Sequence, residues 1–103
     1  MLTKKALLFT AMGLCCGAPA WADLALATSK SCMSCHMVER KIIGPGFKDV
    51  AAKYRDQKGA ADQLAMKIVK GGSGVWGPIT MPANSQVSEA DAKKLAAWVL
   101  SLK

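Results

Sequence analysis

The chain is 103 residues long, room for one small domain and no more. Its net charge is +7. No recognition helix or interleaved aromatic pattern accompanies the basic residues, so the balance argues against a nucleic-acid binder and for an acidic protein partner.

The first 22 residues read as a signal peptide, to be cleaved, with residues 23–103 as the single mature domain. Lys4 and Lys5 supply a positive start, residues 6–14 a short apolar stretch, and Ala20-Trp21-Ala22 the small residues that an export peptidase reads. Removing Lys4 and Lys5 leaves the balance basic, and export places the domain in the periplasm. Two alternatives stand beside this reading. An uncleaved membrane anchor needs about 20 apolar residues, and this run is shorter and meets Pro19. A lipidated N-terminus at Cys15 or Cys16 would follow a small residue, whereas Leu14 stands there. Cleavage removes Cys15 and Cys16 and leaves Cys32 and Cys35. One close pair is too little for the disulfide framework of a small secreted fold.

Four helical stretches and no convincing alternating strand follow, an all-α pattern. The first covers 24–31 and leads straight into Cys32. After the Gly44-Pro45-Gly46 break, a short second helix covers 47–54. The third, 60–70, places Ala61, Leu64, Ala65 and Ile68 on one face and ends at Gly71-Gly72. A long irregular segment, 71–87, then carries Gly72, Gly74, Gly77, Pro78 and Pro82. A loop of that length in so small a domain is usually functional. The last helix opens at Ser88, which with Asp91 has the form of a capping box, and sets Leu95, Trp98, Val99 and Leu102 on one stripe.

Cys32-Met33-Ser34-Cys35-His36 is the C-x-x-C-H pattern of covalent haem c attachment. Two thiols three positions apart lie about one helical turn apart, which suits the two vinyl groups at one edge of a porphyrin. Each thiol adds across a vinyl to form a thioether, and the adjacent histidine is held beneath the ring, where its imidazole can bind iron. A structural zinc site needs four protein ligands, but His36 is the only histidine and two cysteines leave with the signal peptide. A thioredoxin-like motif needs a βαβ context that is missing. The haem would also fill much of the core that a chain this short lacks.

A single histidine rules out bis-histidine ligation within one chain. The sixth iron position takes methionine, takes a weaker ligand or stays open. Met33 lies inside the attachment turn and Met37 directly follows His36, so neither can reach across the ring. Met66 falls in the third helix among polar and basic residues, where packing or partial exposure accounts for it. Met81 lies in the long loop, stiffened by Pro82, and is the candidate ligand.

The chain resembles the class I c-type cytochromes, the small bacterial monohaem kind called cytochrome c-551 or c-552. The resemblance covers essentially the whole mature domain. It rests on residues 30–36, on Ile43-Gly44-Pro45-Gly46-Phe47-Lys48-Asp49-Val50-Ala51, on Lys70-Gly71-Gly72-Ser73-Gly74-Val75-Trp76-Gly77-Pro78, on Met81-Pro82 and on Leu95-Ala96-Ala97-Trp98-Val99-Leu100. The similarity implies about four helices wrapped around one haem c, with His36 and Met81 axial. It implies that the Pro45 carbonyl accepts the Nδ1 proton of His36, a bond that orients the ring and makes it more basic. It also suggests that Trp76 donates to a haem propionate, that Lys67 is a basic propionate partner, and that Asn84 is the amide near the methionine sulfur. Two departures mark the ligand loop: Pro82-Ala83 where the family often has Pro-Pro, and an extra residue around Ser85-Gln86.

Six-coordinate iron suits a carrier of single electrons between respiratory-chain donors and a terminal reductase or oxidase, because it changes oxidation state with little movement and offers no substrate site. Partners of such a carrier meet it through small, charge-steered interfaces. Lys30, Lys48, Lys67 and Lys70 are the candidate docking lysines, and the carrier is expected to be a monomer. The competing reading is a haem enzyme or gas sensor with an open sixth site. It would need distal acid–base groups, and beyond His36 only Arg40 and Arg55 are of the histidine or arginine type.

Overall fold

The computed structural model describes residues 20–103. The predicted signal peptide therefore lies outside the described residues, except for its last three positions, which open the first helix. Four helices follow one another: α1 (Ala20–Ser29), α2 (Phe47–Tyr54), α3 (Ala60–Lys70) and α4 (Glu89–Ser101). A single 3₁₀ turn, Cys32–Ser34, stands between α1 and α2. The only β pairing among the described residues is an isolated antiparallel bridge between Gly72 and Met81. The fold is all-α, as the periodicity predicts.

The first helix does not run straight into Cys32. Ser31 adopts the left-handed conformation, with φ 65°, and its amide donates to the Thr28 carbonyl at 3.1 Å rather than continuing the i→i−4 ladder. That reversal ends α1 at Ser29 and restarts the chain as the tight attachment turn. In α3 the buried face is Ala60, Leu64 and Ala65, with Ile68 half-buried. Ala61, placed on that face by the sequence pattern, is exposed. Gly59, with φ 72°, turns the chain into the helix, so that the i, i+4 row starts one residue earlier.

α4 organises the core. It packs against α1, α2 and α3 and buries Ala92, Leu95, Ala96, Trp98 and Val99. Each buried large apolar side chain contributes about 1.5–3 kcal/mol. The Ser88 hydroxyl accepts from the Asp91 amide at 3.1 Å, which caps one orphan N–H. The reciprocal half of the capping box is replaced: the Asp91 carboxylate lies 3.9 Å from Lys30 Nζ. At the opposite end Arg55 donates to the carbonyls of Ala51 and Leu102, each at 3.2 Å, tying the ends of α2 and α4 together. No described helix is long and apolar enough to cross a membrane.

Candidate haem site

The attachment turn is compact because the Cys32 carbonyl accepts from the amides of both Cys35 and His36, at 3.2 and 3.0 Å. Both described cysteines are free thiols. Burial pushes the Cys32 thiol pKa up, with a backbone hydrogen bond pulling the other way.

His36 is buried and held on three sides. Its Nδ1 lies 2.7 Å from the Pro45 carbonyl oxygen. A carbonyl only accepts, so Nδ1 carries the proton and Nε2 presents a lone pair. The Phe47 ring stacks on the imidazole, with centroids 4.8 Å apart and planes 22° apart. Trp98 of α4 meets Phe47 edge-on at 5.5 Å and 74°. Gly44 closes the third side: its amide donates to the Cys35 carbonyl at 2.7 Å, and a Cβ there would lie 2.7 Å from His36 Cε1. The Gly44-Pro45-Gly46 break is therefore part of the histidine's seat.

His36 and Met81 line one cleft, whose empty space, counted out to its open mouth, is about 1050 Å³. The walls are mostly apolar, with Val50, Leu64, Ile68 and Val99 on the helices and Ile43, Val75 and Ile79 from the loops. Of the other predicted site residues, Cys35, Pro45, Lys67 and Trp76 share this lining. Cys32 does not; it packs against the core behind the wall. Of the described methionines, only Met81 reaches the cleft, while Met66 is 58% exposed on the outer side of α3.

Met81 is seated by backbone. It exchanges two hydrogen bonds with Gly72, at 2.8 and 3.1 Å, and Gly71 makes the approach possible. Gly71 has φ 74°, and a Cβ there would fall 2.5 Å from the Met81 carbonyl oxygen and 2.8 Å from the Ala83 amide. Asn84 is fastened to backbone. Its Nδ2 donates to the Ile68 carbonyl at 2.8 Å and the Pro82 carbonyl at 3.4 Å, and it does not line the cleft.

Trp76 is 38% exposed at the cleft mouth. Lys53 Nζ sits 5.5 Å from the centroid of its ring, a cation–π contact worth about 0.5–1 kcal/mol at an exposed site. Neither Lys53 nor Phe47 was singled out by sequence reasoning, since both look like ordinary members of an amphipathic helix. The docking lysines divide: Lys48 pairs with Glu39 at 2.9 Å and Lys30 with Asp91, whereas Lys67 lines the cleft and Lys70 is exposed.

A free pair of thiols beside a buried imidazole with an unused Nε2, an apolar cleft and one thioether in its wall fit a covalently held porphyrin. The family model for cytochrome c matches residues 24–103. The chain belongs to the cytochrome c family. Cytochrome c-552 of Nitrosomonas europaea is 54% identical over 95 residues, covering 92% of each chain. Cytochrome c-551 of Pseudomonas aeruginosa is 50% identical over 86 residues, covering 82% of each. The crystal structure of wild-type Nitrosomonas europaea cytochrome c552 superposes with a TM-score of 0.76 at 56% identity, covering 78% of this chain and 99% of that one. This cytochrome is accordingly a small class I monohaem c-type cytochrome, an electron carrier with one covalently attached haem c.

Proposed function

We propose that this cytochrome is an exported carrier of single electrons, not an enzyme, in which Cys32 and Cys35 would tether the haem and His36 and Met81 would bind its iron. The observation that carries the reading is one cleft lined by both a buried imidazole with its Nε2 unengaged and the sole described methionine in the wall. Haem iron supplies the one-electron change. The protein's own residues set its terms. The Pro45 carbonyl holds the Nδ1 proton of His36, which fixes the ring and strengthens it as a ligand. The Met81 thioether is a soft ligand that favours the reduced state relative to a second imidazole. With His36 and Met81 both as ligands, the chain would leave the iron no position for a substrate. Arg40 and Arg55 stand outside the cleft lining, which leaves an oxygen-activating reading without its acid–base groups.

Trp76 is the donor to a propionate and Lys67 the nearby positive charge. Cleavage after Ala22 releases residues 23–103 into the periplasm as a monomer. There Lys67 and Lys70 face acidic docking surfaces on a respiratory donor and on a terminal reductase or oxidase. The intact mass of protein recovered from the periplasm should equal residues 23–103 plus one haem.

Met81→Ala tests the ligand assignment. The variant should lose the methionine–iron charge-transfer band of the oxidised protein, fall in reduction potential and gain carbon monoxide binding that the wild type lacks. Met66→Ala should change none of these. A wild-type protein that binds carbon monoxide at once, with Met81→Ala spectrally unchanged, would establish an open sixth site and an enzyme or sensor.

A further inference from the structure

Gln86 lies at the end of the long loop and is exposed, yet it is the centre of a hydrogen-bonded ring. Its Nε2 donates to the Lys30 carbonyl at 3.2 Å and to Asn84 Oδ1 at 3.3 Å. In return Lys30 Nζ donates to the Gln86 carbonyl at 3.3 Å, and the same ammonium is 3.9 Å from Asp91. Asn84 continues the chain of bonds to Ile68 through both its side-chain and backbone nitrogens. The amide orientations follow from the partners. Turning Gln86 over would set its oxygen against two acceptors, Lys30 O and Asn84 Oδ1, and turning Asn84 over would do the same against two carbonyls.

Lys30 lies two positions before Cys32, and Asn84 three positions after Met81. We infer that the Lys30–Gln86–Asn84 relay is a clamp that holds the Met81 loop shut against the haem-attachment turn, making Gln86 a positioning residue for the sixth ligand. The inference rests on Met81 being that ligand. The loop spans 71–87, carries Gly74 and Gly77 at positive φ, turns Val75, Trp76 and Ile79 to the cleft and buries Val87 in the helical core. Its anchors are the Gly72–Met81 bridge near the start and the Gln86 clamp at the end.

The test is the rate at which cyanide replaces Met81 in the oxidised holoprotein, together with amide hydrogen exchange. Gln86→Ala removes both side-chain bonds and should speed cyanide binding about threefold to tenfold, the loss expected for one to two net hydrogen bonds. Exchange at the Gly72 and Met81 amides should quicken by a similar factor, while amides in the middle of α2 and α4 keep wild-type rates. Ser85→Ala, beside it in the same turn, should match wild type throughout. An intact methionine–iron band with Gln86→Ala binding cyanide at the wild-type rate overturns the clamp alone. Quickened exchange across α2 and α4 as well overturns it in favour of a general structural role. A wild-type protein without the methionine–iron band overturns both the ligand assignment and the clamp.

Discussion

The cleft wall that carries His36 and the wall that carries Met81 are made by different means. His36 is buried, stacked on Phe47, backed by Trp98 and fastened at Nδ1. Its position is a consequence of the core. Met81 is half-buried in an irregular loop, held by a two-bond backbone bridge and by polar side chains further along the chain. Stacked rings resist displacement because every direction of movement loses contact area. Isolated surface hydrogen bonds contribute only about 0.5–1.5 kcal/mol each and exchange readily with water. The comparison makes the histidine side the rigid wall of the cleft and the methionine side the looser one.

The largest expected effect removes what joins the two walls. Cys32→Ala with Cys35→Ala, produced without covalent haem, should have little stable helix, because a domain this small has a marginal core. Circular dichroism through a thermal scan checks it, and a cooperative transition of native size would show that the packed wall stands alone.

Next, Phe47→Ala strikes the histidine wall and should cost about 3–5 kcal/mol in denaturant unfolding of the holoprotein, with the Met81 spectral band retained. A loss below about 1 kcal/mol would mean that the stack on His36 contributes little. Two glycines sharpen the contrast further. Gly71→Ala should cost about 1–3 kcal/mol for a backbone at φ 74° and ψ −172° that glycine alone adopts readily, plus the overlap with the Met81 carbonyl, and should weaken the methionine–iron band. Gly44→Ala should instead shift the proton resonances of the His36 ring and leave that band in place. Equal disturbance of both ligands by either variant would erase the distinction.

The smallest effect concerns the mouth that both walls share. Electron transfer to an acidic partner should slow as salt rises to physiological strength, where charges are screened beyond about 8 Å. A rate independent of salt, followed by stopped-flow, would leave Lys67 and Lys70 without a steering role.

Much of the fold was legible before any coordinates. Local pattern located α2 and α3, because Gly44-Pro45-Gly46 and Gly71-Gly72 are breaks that local sterics impose. The start of α4 was legible from Ser88 for the same reason. The end of α1 was not, since Ser31 gives no sign that it will turn left-handed. The register of α3 was off by one position at Ala61, because a helix of alanines reads nearly alike on neighbouring faces until α4 packs against one of them.

At the site, C-x-x-C-H carried the cofactor, and the count of one histidine carried the problem of the sixth ligand. Local chemistry is enough for such features, since they depend on residues a few positions apart. Tertiary structure decided the rest: that Met81 alone among the described methionines reaches the cleft, that Asn84 turns its amide to Ile68, that Lys48 and Lys30 are occupied by acidic partners, and that Gln86 meets Lys30 across 56 residues of chain. Each of these is a meeting of residues far apart in sequence. Which of several chemically equal candidates meet is set by how α4 gathers the other helices, and no local pattern encodes it.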